Sequence, residues 1–475
     1  MKTTFNNKVI AVLLTFSKYE LNRFKKMVAS PFFNENQVLL ELLEVYMSNL
    51  KKHQMVPYSK EQIWRFIDSK HKYNDTKFRR LNSDLLKLTE SFLMYIALEK
   101  QPTQAQNLLL KEIKERSIDK MYNGAIKQAK SLQNNNEKRD AKFYHDAYVL
   151  ELELAAIQER TFKRSDESNI DALHKNLDYF YLGEKLKQYC SLLNLKEVVS
   201  VDFEPMLIEE ILEHLQKHTY ENIPSIEVYH KILLCLKDEN NAIYYTQFCQ
   251  YLNQHADYFL INEARTLYGM AQNYCIKKIN TGHPQYLEEL FKLYQTVLDK
   301  KIIFHQETLS PWDYKNIVTV GIRIEAYDWI ENFIVTYKES LPKNYQENAY
   351  TYNLAKLYFN KRDFDKVIQL LLTVEYQDIF YQLDSKTLLL KTYYELDEEE
   401  ALHALLDSFK VLLSRKKVVT SAYKSNYMNL VKHTRKLMDA RNGKMQKLTQ
   451  LKVDIETDSN VADLGWLKAK IGELE

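Results

Sequence analysis

An all-α fold, built as an array of antiparallel helix pairs behind a small helical N-terminal domain, is what this sequence predicts. Three observations carry that expectation. The 475 residues include only eight glycines and eight prolines, far below the usual shares of about 7% and 5%, so tight hairpins and Gly-rich loops are few. From Gln104 onward, apolar residues recur at three- and four-residue intervals in runs of about 12 to 25 residues, with no alternating strand-like run between them. The hydrophobic content of 45% supports a large core, and short-looped helix pairs bury their apolar faces only by stacking on neighbours.

The first hundred residues mark their own helices. Ser17 with Glu20 forms a capping box before "YELNRFKKMV", Asn34 with Gln37 precedes "ENQVLLELLEVYMSNLKK", and Ser59 with Gln62 precedes "KEQIWRFID". Asn74 opens the longest run, in which Phe78, Leu81, Leu85, Leu88 and Phe92 follow one apolar helical face until Pro102 stops it. The apolar "VIAVLLTF" near the start is followed at once by "SKYELNRFKK" and by no small-residue cleavage site, so it is expected to be the first helix rather than a signal sequence.

Beyond residue 101, breaks fall at "QNNNEKRD", "KRSDES", "DFEP", "ENIPS", "INTGHP", "LSP" and "SLPKN". Four regions follow: a basic helical domain over 1–101, an irregular helical-repeat region over 102–255, more regular repeats over 256–409, and a basic helical region over 410–475. In the last, "TDSNVADLGWLKAKIGELE" reads as a closing helix that uses Val461, Leu464, Trp466 and Leu467 and is capped by Ser459 or Asn460.

"NLAKLYFNKRDFDKVIQLL", residues 353–371, resembles a tetratricopeptide repeat. Leu354 and Ala355 match that family's large–small pair, while Tyr358 and Phe364 match the residues that fill the gap beside it. The family's turn Gly is replaced by Arg362 and the small residue of its second helix by Val367. Tyr327, Ile330 and Pro342 upstream, and Tyr393 and Ala401 downstream, fit neighbouring units. The resemblance implies a right-handed superhelical α-solenoid whose first helices face a peptide-binding groove, with Asn353, Lys356 and Asn360 lining it.

Chemistry is sparse. No phosphate-cradling Gly-rich loop and no G-x-S-x-G occurs. Cys190, Cys235, Cys249 and Cys275 lie apart in apolar stretches and read as buried, reduced thiols. In "EEILEHLQKH", Glu210, His214 and His218 sit four apart on one helix face, a weak metal candidate set against the simpler reading of a solvated polar face. No enzyme activity, resident metal or cofactor is expected. No stretch approaches the ~18 apolar residues of a membrane span, and a cytoplasmic protein is expected.

Charge is unevenly spread. Residues 1–100 hold 17 Lys or Arg against 10 Asp or Glu, residues 101–409 hold 35 against 47, and residues 410–452 hold 12 against 1. Two functions fit. One is a scaffold that binds a protein or peptide segment in the helical groove. The other is a nucleic-acid-binding regulator, because residues 59–92 are weakly similar to a winged-helix helix pair with Lys77, Arg79, Arg80 and Lys87 facing phosphates. Arg435, Lys436 and Arg441 offer a second basic surface for an acidic partner.

Overall fold

A computed structural model describes residues 5–50, 58–161, 169–196, 205–372, 378–415, 421–442, 445–457 and 460–474. Among these residues the protein is all-helical, with 23 α-helices, and no strand longer than an isolated bridge between His305 and Thr308. The chain packs as two compact units, Met1–Asn240 and Asn241–Glu475.

The first unit runs α1 (Lys8–Leu13), α2 (Lys18–Val28), α3 (Gln37–Leu50), α4 (Lys60–Ile67), α5 (Asp75–Glu99), α6 (Pro102–Glu115), α7 (Asp119–Asn134), α8 (Ala141–Thr161), α9 (Ile170–Lys196), α10 (Ile208–Lys217) and α11 (Pro224–Lys237). Helices α1–α5 enclose one core, in which Phe24, Tyr46, Phe78 and Phe92 are sealed from solvent and Leu81 and Leu88 pack against them. The expected caps form at Ser17 and Ser59, both as reciprocal capping boxes, and at Asn74, whose side chain accepts from the Lys77 amide. Asn34 behaves differently. It accepts from the Asn36 amide and donates to the Val28 carbonyl, which closes the α2–α3 turn, while Asn36 accepts the Val38 amide at the start of α3. α6–α8 build a second core around Leu110, Ile113, Tyr122 and Leu150. The break "KRSDES" and most of "DFEP" lie outside the described residues.

The second unit continues with α12 (Ala242–His255), α13 (Ile261–Asn280), α14 (Tyr286–Asp299), α15 (Pro311–Arg323), α16 (Tyr327–Thr336), α17 (Gln346–Asn360), α18 (Phe364–Leu372), α19 (Ile379–Glu395), α20 (Glu399–Arg415), α21 (Ser421–Arg441), α22 (Met445–Thr457) and α23 (Leu464–Glu473). Adjacent helices pair, and the first members of successive pairs, α15, α17 and α19, also touch one another. Leu354, Ala355 and Val367 are buried, and α17 packs against α18.

The turns inside these pairs repeat one geometry. Glu325, Arg362 and Asp397 each take a left-handed φ, of 59°, 60° and 62°. The residue after each donates its amide five residues back, from Ala326 to Gly321, Asp363 to Tyr358 and Glu398 to Tyr393. This is a Schellman closure, which satisfies the free carbonyls of the helix end and usually places Gly at the left-handed position. A side chain there costs about 1 kcal/mol. Arg362→Gly is therefore expected to raise stability by about 0.5–1 kcal/mol, read as a higher urea midpoint with an unchanged m-value.

Candidate functional site

Three helices of the second unit present polar stripes to a common groove of about 420 Å3. On α15 the stripe is Lys315, Thr319 and Arg323, and on α17 it is Tyr352, Lys356 and Asn360, each spaced four residues apart so that the side chains stack along one face. α19 contributes Asp384, Thr387, Leu388 and Lys391. Tyr427 of α21 and the Ala462–Asp463 segment before α23 complete the lining.

Two ion pairs brace the walls. Lys315 pairs with Asp384, which also accepts from the Tyr427 hydroxyl at 3.4 Å, and Lys315 lies over the Tyr352 ring at 5.4 Å. Lys391 pairs with Asp463 at 2.8 Å and lies over Phe359 at 5.1 Å. Between them, half-buried Lys356 donates to the Thr319 hydroxyl at 2.7 Å. Among the described residues neither Lys356 nor Arg323 has a carboxylate within 4.0 Å. The groove thus keeps two uncompensated cations, one of them at depth.

Burial and the neighbouring charge of Lys315 push the Lys356 ammonium down to about 8; Asp384 opposes the shift, Lys391 adds to it, and Asp463 opposes it. The unfolded chain then binds the proton more readily than the folded one between pH about 8 and the ordinary lysine value of ~10.4, so stability rises with pH across that window. Below it the desolvation penalty is present in full. Lys356→Met is expected to stabilise the fold by roughly 1–3 kcal/mol near neutral pH and to lose that advantage above pH ~10.4. Paired melts at the two pH values read it.

Of Asn353, Lys356 and Asn360, the last two line this cavity and Asn353 does not. Asn353 has no exposed surface, and its side-chain amide donates to the Ala349 carbonyl one turn back. Helical phase does not exclude it, because Asn353 lies only about 20° from Asn360 around the helix; it lies about two turns earlier along α17, where it is wholly buried. Tyr352 takes the groove position instead. Thr319, Arg323, Asp384, Lys391 and Asp463 were not anticipated. A polar stripe at four-residue spacing in "YKNIVTVGIR" is the signal that could have found the first two.

The basic surfaces look different in three dimensions. Arg435 pairs with Asp407, Lys436 with Asp454, and Arg441 with Asp397 at 3.2 Å while donating to the Tyr394 carbonyl. These three side chains brace α19–α22 rather than standing free for a partner. On α5, Arg79 pairs with Asp75 at 2.6 Å, and Asp84 lies 4.0 Å from Arg80 and 3.4 Å from Lys87. Lys77 is exposed beside them. α5 runs unbroken to Glu99 and α6 follows, in place of a strand wing.

The metal candidate does not assemble. His214 hydrogen-bonds the Tyr220 hydroxyl at 2.7 Å and stacks on His218, and among the described residues no group of three or more His, Cys, Asp or Glu is placed to hold an ion. All four cysteines are buried free thiols. No described helix is long and apolar enough to cross a membrane. A larger cleft, about 780 Å3, lies between α18, α19 and α20, but its lining is mainly Leu and Ala and its lysine, Lys386, already donates to Ser408 at 3.1 Å.

No family model, curated protein or solved structure matches this chain.

Proposed function

We propose that the protein is a non-enzymatic scaffold that holds an extended protein segment, carrying at least one acidic side chain, in the groove between α15, α17 and α19. The observation that supports this reading is the pair of uncompensated cations, Lys356 and Arg323, in a groove whose other charges are already matched. A carboxylate entering there replaces lost hydration with charge-assisted hydrogen bonds. The tetratricopeptide-like spacing of residues 353–371 is consistent with a groove of this kind. The nucleic-acid reading gains less, because the α5 cations Arg79, Arg80 and Lys87 have acidic neighbours.

The test is capture from a lysate by the intact protein, with cross-linked peptides mapped by mass spectrometry, beside Arg323→Glu and Lys356→Glu variants whose melting is checked. A defined protein cross-linked at the groove, lost in both variants and weakened by salt, supports the scaffold. Capture unchanged by either reversal, or co-purifying nucleic acid that salt removes, overturns it.

A further inference from the structure

Two lysines, Lys356 and Lys391, line this groove, and a third, Lys315, pairs with its Asp384. Lys315 and Lys391 are each held by a carboxylate, whereas Lys356 sits between them with a single hydroxyl acceptor, that of Thr319. Lys356 is one of the residues that line the cavity. The same cavity is lined by Arg323 from α15, Tyr352 from its own helix, Asp384 from α19, Tyr427 from α21 and Asp463 from the segment before α23. Arg323 lies one helical turn beyond Thr319 on the same face of α15 and lines the same cavity as Lys356. A lysine amine that is desolvated and set beside other cations is the arrangement that turns an ammonium into a nucleophile.

We propose that Lys356 is a covalent capture site for small aldehydes that carry an anionic group, with Arg323 seating the anion. The neutral Nζ adds its lone pair to the carbonyl carbon, and the carbonyl oxygen takes up the proton released from nitrogen to give a carbinolamine. Loss of water then leaves an imine, and hydrolysis returns both partners. No redox partner is consumed. This site goes beyond the scaffold reading and stands whether or not a protein segment ever occupies the groove.

The lowered ammonium, at about 8, supports the geometry. An ordinary lysine titrates near ~10.4, so at neutral pH Lys356 holds roughly 200-fold more neutral amine. Weaker basicity gives back part of that gain and leaves roughly a tenfold advantage in rate.

The experiment treats the full chain with glyoxylate and cyanoborohydride, which delivers hydride to the imine carbon and fixes the adduct, and maps labelled lysines by mass spectrometry. Acetaldehyde serves as the uncharged probe. The expected result is labelling of Lys356 about tenfold above exposed lysines such as Lys468 near neutral pH. The preference should fall to parity near pH ~9 and reverse by pH ~10.4, where exposed lysines are about half neutral and more basic. Arg323→Ala, at an exposed position, should slow glyoxylate labelling of Lys356 and leave acetaldehyde labelling unchanged. Labelling of Lys356 at the rate of exposed lysines overturns the capture site. Equal slowing of both aldehydes in Arg323→Ala overturns the role of the arginine and the anionic preference with it.

Discussion

Replacing Trp466 by Ala is expected to cost about 3–5 kcal/mol, the range for removing a large buried aromatic. Trp466 meets Tyr394 edge-on at 5.3 Å, and its indole nitrogen reaches the Glu395 carboxylate at 3.5 Å. The same carboxylate receives Lys470 at 2.7 Å, so the substitution opens a cavity beside an ion pair that is itself nearly buried. Leu467 and Ile471 of the same helix are also buried. Thermal or urea melting reads the effect, with Lys468→Ala, on the exposed side of the same helix, expected to stay within about 0.5 kcal/mol. Equal melts for the two variants would mean that α23 is not a packed closing element.

Gly321→Ala comes next, with an expected loss of about 2–3 kcal/mol despite the ~1 kcal/mol that Ala gains in intrinsic helix propensity. A methyl group at this position of α15 would lie 2.3 Å from Cδ1 and 2.4 Å from Cγ1 of Ile330, and 3.1 Å from the Phe291 ring. Ile330 is fully buried, so it has no open space into which to move. α15 therefore approaches α16 as closely as it does because residue 321 has no side chain. Ile330→Ala removes both clashing carbons. The double variant should be more stable than the sum of the single losses predicts, by a coupling of about 0.5–3 kcal/mol. Simple additivity would show that the two residues do not share this contact.

Legibility in the sequence follows the range of the interaction. The boxes at Ser17 and Ser59 and the cap at Asn74 close within three residues, so the residue types themselves announce them. Asn34 misled because a short polar side chain stabilises a turn as readily as a cap, and only the path of the chain decides. At the other end, Asn460 gives α23 no cap. Asp463 occupies the N-cap position in a left-handed conformation, with no side-chain capping bond, and its carboxylate goes to Lys391. Ser459 lies outside the described residues. Arg362 stood out as a departure from a glycine position, yet nothing local says that Glu325 and Asp397 share its backbone conformation.

The groove divides in the same way. Its individual stripes are readable, because four-residue spacing on a helix is a property of one segment. Which cations stay uncompensated is not, since Lys315 finds Asp384 across 69 residues and Lys391 finds Asp463 across 72. Arg435, Lys436 and Arg441 show the converse. A run of 12 basic residues against 1 acidic reads as a surface for another molecule, but the chain brings its own carboxylates to those three from other segments.

The long reach from Lys391 to Asp463 also gives the groove a history during synthesis. Translation delivers α15, α17 and α19 well before the segment from residue 460, and folding begins on what has already emerged. Until that segment arrives Lys391 has no Asp463, so the groove of a partly synthesised chain is more positive than that of the folded protein. Docking of α23 and the segment before it both closes the packing around Trp466 and lowers that charge, which makes this step of folding an electrostatic event as well as a structural one.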